Sequence, residues 1–434
     1  MKTNIIYSAI LFLGLLSCSD DPQGTSKVSG RVSDSSLESV ASSQTTRSIE
    51  SSAGVEAATV IIAEVQANGS LKTVSTQSVQ TDVNGNFVVE TNTSGAKNLV
   101  VVATKGSSEW QAVVSAETKS GKTVYSQPLN TESTSEAEVY ARLKAAGKTN
   151  VVSQSDVQLY LNSEIAAQIK GNASLEDQFI SSLEKRSQAS SQTCSNSNFG
   201  ISSSQIQTIT EAKAQAQVSF ETALFNSSES TSADAAFVNY QKAIIAAYAK
   251  ANVNVETYAR ITNIASKTYL NASASMSSQL SFACAKSEYM RDAFVLQQAI
   301  EAKFQSAGAS SQQSSAVVVA GASLSTSIKN SVSINQIANA FAQYHSSIVD
   351  QLKLTLSTQV TAISTIDASI NGLSGLKFTL NAAIGVGVST NAIVNAYVSF
   401  YNSIKTLVQS SLSGASSSQI SAATEILILA NIYN

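Results

Sequence analysis

The sequence predicts a multidomain β + α chain: an N-terminal seven-stranded antiparallel β-sandwich followed by an all-α helical bundle or array. Three observations predict it. The chain has only two prolines, Pro22 and Pro128, so everything beyond residue 128 is free of proline. Before that point, short β-branched runs alternate with turns of Gly, Asn and Ser. After it, apolar residues recur every three or four positions, the spacing of helices with one buried face. With 434 residues and 43% hydrophobic content, the chain can fill two cores.

The first element is an address. Met1-Lys2, an apolar run over 5–16 and then Ser17-Cys18 form a short positive start, an apolar core and a small residue before a cut, as in an export signal. A twelve-residue run reaches roughly 18 Å as a helix, against a hydrocarbon core of about 30 Å, so it is short for a membrane anchor. Leu15-Leu16-Ser17-Cys18 resembles the bacterial lipobox. That resemblance implies cleavage between Ser17 and Cys18, with lipid on Cys18. Residues 1–17 are then the signal peptide and 18–26 a tether. Several acyl chains on one cysteine make anchoring effectively permanent. Ser19 does not resemble an inner-membrane retention signal, and Asp20-Asp21 resembles the surface-export signal of some bacterial lipoproteins. The expected location is the outer membrane, lipid-anchored, on either its periplasmic or its surface-exposed face.

Composition suits that location. Charged residues make up only 13% of the chain, with Ser, Thr, Asn and Gln supplying the polar surface, and the net charge of −3 offers no electrostatic footprint for nucleic acid. Besides Cys18 there are Cys194 and Cys284, which could pair in an oxidising compartment. Such a loop stabilises by on the order of 4–5 kcal/mol. The alternative is two thiols, with Cys284 buried in a helix.

The sandwich occupies 27–128. Its predicted strands are 27–33, 57–66, 71–79, 86–91, 98–104, 110–116 and 123–127, with turns at Asn68-Gly69 and Asn84-Gly85. Residues 35–52 are a Ser-rich insert of low hydrophobicity, expected to be a disordered loop. Four blocks resemble the carboxypeptidase regulatory-like family, a transthyretin-type sandwich: Val28-Ser29-Gly30-Arg31-Val32, Gly54-Val55-Glu56-Ala57-Ala58-Thr59-Val60, Thr81-Asp82-Val83-Asn84-Gly85-Asn86-Phe87 and Leu99-Val100-Val101-Val102-Ala103. Together they cover about a quarter of the chain. The third is the most specific, with Asp82, Asn84 and Gly85 making the turn and Phe87 starting the next strand. The long loop after the first strand and the missing proline before the second depart from the family pattern. The resemblance implies a non-catalytic spacer or docking module. It shares a superfold with starch-binding domains, so carbohydrate binding is an analogy of fold.

The all-α domain covers 131–434. Tyr289, Ala293, Leu296, Ile300 and Phe304 form one stripe, and Ile334, Ile337, Phe341, Tyr344, Ile348, Leu352 and Leu356 form another. Phe237, Tyr240, Ile244 and Tyr248 form a shorter one. Ser133 with Glu136, Ser153 with Asp156 and Ser174 with Asp177 signal helix starts, and Gly171, Gly200 and Gly308 signal stops. Eight to ten helices are expected.

No motif carries catalytic chemistry. His345 is the single histidine, with no second one to share a metal and no Gly-x-Ser-x-Gly elbow in the chain. Gly121-Lys122-Thr123 ends like a P-loop, but Ala116 stands where that loop needs glycine, and the tripeptide reads as a hairpin turn. Gly385-Val386-Gly387 has Thr390 in place of a third glycine. Asp82, Asn84 and Asn86 alternate as calcium ligands do, yet no distal glutamate completes the set, and a type I′ turn accounts for them. Neither metal nor cofactor is expected. Residues 378–404 carry no charge and are long enough to span a bilayer, but Asn381, Asn391 and Asn395 are costly in lipid. A bundle hairpin bent near 385–387 is expected there, and a membrane-inserting segment is the alternative.

The expected function is that of a non-enzymatic cell-envelope lipoprotein, whose β-sandwich spacer presents a helical domain to a ligand or an envelope protein. Its expected partner besides those is the membrane, through the lipid anchor. An adhesion or structural role is an alternative, as is a hydrolase using Glu164, Glu176 and Asp177. Those three residues read more simply as helix caps and solvated faces.

Overall fold

A computed structural model describes residues 25–33, 53–227, 230–372 and 389–433. Ser17, Cys18 and the insert at 35–52 lie outside the described residues, as does the bend expected near 385–387.

A β region comes first. Its strands are β1 (Ser26–Arg31), β2 (Thr59–Val65), β3 (Leu71–Thr73), β4 (Val79–Gln80), β5 (Asn86–Thr91), β6 (Leu99–Lys105), β7 (Ser108–Val114) and β8 (Thr123–Tyr125). One sheet runs β5-β1-β8; the other runs β3-β2-β6-β7, with β4 also on β2. Among the described residues there are thus eight strands where seven were expected. The predicted strand 71–79 is split because the Val74 and Ser75 N–H groups both converge on the Ile62 carbonyl, and Ser75 then bridges to Thr91 in the other sheet. Nor is pairing antiparallel throughout: β8 runs parallel to β1, with Lys27 opposite Thr123. Strand β8 arrives from β7 in the opposite sheet, so no tight hairpin dictates its direction.

Alternation explains the core. Val28, Phe87 and Val89 of the first sheet meet Val60, Ile62, Leu99, Val101 and Ala112 of the second. Strand β6 lacks alternation because both its faces are buried. Its Val100 and Val102, with Val65 and Val113, pack on Ala137 and Tyr140 of the first helix.

The four sequence blocks meet at one end of the β region. The Thr81 hydroxyl donates to the Val55 carbonyl and accepts from the Ala58 N–H. Asp82 Oδ1 accepts from the backbone N–H groups of Asn84 and Asn86 at 2.9 and 2.8 Å. Those bonds, led by the one from Asn86, hold the Asp82 carboxyl below its ordinary value. The turn is not type I′. Gly85 has φ +77°, Asn84 is not left-handed, and the Gly85 N–H closes on the Asp82 carbonyl at 2.9 Å, so a type I turn is followed by a left-handed glycine. The sequence pair Asn-Gly serves both geometries, and the Asp82 side chain bonds select this one.

The helices follow: α1 (Thr131–Ala145), α2 (Gln154–Tyr160), α3 (Ser163–Ile169), α4 (Ala173–Ser195), α5 (Ser203–Phe225), α6 (Ser230–Lys250), α7 (Val255–Ser273), α8 (Ser278–Ser306), α9 (Ser311–Asn330), α10 (Ile334–Thr355), α11 (Val360–Gly372), α12 (Thr390–Ser411) and α13 (Ser417–Asn431). Thirteen lie among the described residues, against the eight to ten expected; short pieces such as α2 and α3 add to the count. Helix α4 packs on α7, α7 on α8, α8 on α9, α9 on α10, and α5 on α6. The predicted stripes on α8 and α10 face this core, apart from half-buried Tyr289 and exposed Ile334. Helix α13 is buried on every side from Ala422 to Asn431, against α8, α10 and α12. No helix among the described residues is long and apolar enough to cross a membrane.

Caps fall partly where the sequence placed them. Ser153 and Asp156 form a reciprocal capping box on α2. Helix α1, however, is capped by Asn130 with Ser133 at its third position, and α4 by Asn172 rather than Ser174. An asparagine carbonyl caps as well as a serine hydroxyl, so spacing alone does not separate them.

Candidate functional site

A cleft with an extensive polar lining has a volume of about 610 Å³ and lies where the β region meets the helices. Lys97, Asn98 and Ser115 form its β wall; α1, α2, α4, α5, α6, α7, α8 and the loop 149–153 supply the rest. The capped first turn of α2 sets Asp156 in this wall. Its carboxylate accepts from the Ser153 hydroxyl at 2.6 Å and pairs with Lys213 of α5 at 3.3 Å. Burial opposes its ionisation, but Lys213 and Ser153 outweigh that and keep its pKa below the ordinary value.

At the base lies a cluster of buried charges. The Tyr160 ring carries the Arg186 guanidinium 4.1 Å from its centroid and the Arg291 guanidinium at 4.5 Å. Arg186 is held bidentately by Glu288: Nε donates at 3.1 Å and one terminal nitrogen at 2.9 Å. The Ser266 hydroxyl joins Glu288 to Asp292, one helical turn further along α8, and the Tyr433 hydroxyl also donates to Asp292. Burial, then the neighbouring Glu288, pushes Asp292 up to about 7.

Three polar side chains line this wall. Arg291 is 6% exposed and, among the described residues, stacks on Tyr160 but makes no hydrogen bond; burial pushes its pKa down to about 10, against the attraction of Asp292 and Asp156. Gln154 is buried with neither amide atom bonded, and Gln217 is buried with its Nε2 unbonded. Buried polar groups are ordinarily satisfied, so the unbonded amide atoms of Gln154 and Gln217 mark this wall as unusual.

The predicted cysteine pair is not formed: Cys194 and Cys284 are both free and buried. Cys194, near the end of α4, lines the cleft, whereas Cys284 on α8 faces Tyr269. Burial pushes their thiols up to about 11 and about 12, so neither is a ready nucleophile.

The remaining candidates lie apart from one another. His345 is buried, its Nε2 lying 3.0 Å from Asp367 Oδ1, and it ties α10 to α11. Glu176 and Asp177 both engage the Arg142 guanidinium, at 3.0 and 2.5 Å, while Glu164 faces Lys286 at 3.9 Å. Asp82, Asn84 and Gly85 serve their own turn. Among the described residues no three His, Cys, Asp or Glu side chains gather as a metal site would require.

Sequence periodicity missed the cleft's charges, although a signal existed. Leu280, Cys284, Glu288, Arg291 and Val295 follow one another at helical spacing and all are buried. Charges at 288 and 291 thus interrupt an apolar stripe, where solvent does not reach. Compared with family models, curated proteins and solved structures, the chain matches none.

Proposed function

We propose that the chain is a non-enzymatic cell-envelope lipoprotein, held at the outer membrane through lipid on Cys18, that binds a small polar ligand in the cleft between its β region and its helices. The observation carrying this reading is the pair of buried glutamines, Gln154 and Gln217, with unbonded amide atoms, beside the Arg291 guanidinium on the wall of a cleft of about 610 Å³, a size that suits a small molecule. The lipobox-like Leu15-Leu16-Ser17-Cys18 supports the anchor, and the four strand blocks support a spacer of the carboxypeptidase regulatory-like type. In this reading the β region is more than a spacer, because Lys97, Asn98 and Ser115 help line the cleft.

Ligand-observed NMR of the whole chain with succinate, inorganic phosphate, maltose and betaine tests the binding. Ser190 lines the cleft, and Ser190→Trp fills it. Binding by the parent that this variant loses is expected. Compounds bound equally by both would place the ligand elsewhere. Mass spectrometry of the cell-purified N-terminus tests the anchor: an unlipidated Cys18, or an N-terminus beyond it, removes that part of the reading.

A further inference from the structure

We infer that the base of this cleft is an oxyanion subsite, built to take a carboxylate or phosphate group of the ligand against the Arg291 guanidinium. The inference rests on the cleft being a ligand site and specifies the chemistry it recognises.

Charge accounting at the cleft comes first. Its lining carries five cations, on Lys97, Lys144, Arg186, Lys213 and Arg291, and one carboxylate, on Asp156. The chain as a whole carries a net −3, so this concentration of positive charge is local. Two of the cations are spoken for: Glu288 holds Arg186 bidentately, and Asp156 holds Lys213 at 3.3 Å. Lys97 reaches outward to Glu117 at 3.3 Å through an exposed pair. That leaves Lys144, half-buried on α1, and Arg291, which is buried and stacked on Tyr160 with no hydrogen-bond acceptor among the described residues.

A buried guanidinium with no hydrogen-bonded carboxylate is costly; Asp292 and Asp156 attract Arg291 without bonding to it, and the ring face satisfies only its charge. Its N–H groups lie in one plane and suit an oxyanion with two oxygens. Asp292, next to it on α8, attracts it electrostatically but accepts no hydrogen bond from it: its oxygens are engaged by Ser266 and Tyr433, and burial with Glu288 beside it outweighs Arg291 and raises its pKa. Helical geometry separates the two side chains by about 100° around the axis.

The neutral groups agree. Gln154 Nε2 and Gln217 Nε2 are buried donors without acceptors in the same lining. An oxyanion accepts from a guanidinium and from amides together, whereas a cation would meet Arg291 and Lys213 with repulsion. A neutral ligand would leave the Arg291 charge unpaired. Asp156 does not oppose an anion strongly, since Lys213 and Ser153 already engage it.

Calorimetric titration of the whole chain with inorganic phosphate, succinate and neutral maltose tests the inference. Saturable binding of phosphate or succinate is expected, and whichever binds identifies the oxyanion. Arg291→Gln should weaken it at least about tenfold, the loss of one charge-assisted bond, and Arg291→Lys should recover part of it. Gln154→Leu leaves the buried charge cluster in place and should weaken the same ligand if the substituted arginine compromises folding. Failure of both anions to bind, or undiminished anion binding by Arg291→Gln and Gln154→Leu, overturns the inference. Maltose binding that Ser190→Trp abolishes and Arg291→Gln leaves unchanged would also overturn it, while the cleft would stand as a ligand site.

Discussion

The Glu221 carboxylate accepts from both the backbone N–H and the hydroxyl of Ser115, at 3.0 and 2.7 Å, across 106 residues of chain. Helix α5 is thereby fastened to the chain just beyond β7, at the wall of the cleft. Gln158 of α2 donates a third hydrogen bond at 3.0 Å.

This contact makes stability depend on pH. Burial pushes Glu221 up from 4.5 to about 7, against the three hydrogen bonds that favour its charge. A raised folded pKa means that the folded state holds the proton more tightly. The stability linked to it is fully present below 4.5 and is lost as pH rises through about 7. Asp292, also raised to about 7, acts in the same direction. Urea denaturation should therefore show the parent losing stability between the acid and neutral sides, and Glu221→Gln losing less. An identical pH profile for the two would contradict the assignment to Glu221.

Arg186 and Glu288 form a buried bidentate pair, at 5% and 0% side-chain exposure. Arg186→Leu leaves Glu288 charged and buried beside Asp292. It should cost about 3–5 kcal/mol in chemical denaturation, far more than losing an exposed pair. The comparison is Lys353→Ala, whose partner Asp350 is 69% exposed and whose loss should cost under about 1 kcal/mol. Equal costs for the two variants would mean that the Arg186 site is open to water.

The two thiols should be free and slow. Cys194 and Cys284 are both buried with raised pKa, so a thiol reagent should label neither at the rate of an exposed cysteine. In denaturant without reductant, both should label. Labelling that requires prior reduction would instead reveal the pairing expected from the sequence.

Two glycines distinguish close packing from backbone strain. At Gly85, φ is +77° and a Cβ would lie 2.2 Å from the Val32 carbonyl oxygen. At Gly106, φ is +61° with nothing within 4 Å. Gly106→Ala should cost about 1–2 kcal/mol from the left-handed backbone alone, and Gly85→Ala distinctly more. Thermal denaturation of the two variants compares them directly, and equal losses would place the Asp82 turn away from Val32.

The local elements were largely legible in the sequence. β-branched runs and Asn-Gly turns placed the strands, and the change of period near Pro128 placed the start of the helices, because both signals depend on neighbours within a few residues. The parallel course of β8 was not legible, since strand direction depends on a partner about a hundred residues away in the chain. Helix α13 was also difficult, because Ile426-Leu427-Ile428-Leu429-Ala430 is apolar all round and shows no single face.

The sequence by itself determined the order of β region and helices, the faces of α8 and α10 and the turn residues, all set by local backbone geometry and apolar spacing. Tertiary structure alone decided that Tyr160 lies against Arg186 and Arg291, that Glu221 meets Ser115, and that both amide atoms of Gln154 and Nε2 of Gln217 are buried without hydrogen bonds. A helical period states which residues turn inward but not what they meet there. For a buried charge, that partner decides whether the position is a structural ion pair, as at Arg186, or a cation stacked on a ring without a hydrogen-bonded carboxylate, as at Arg291.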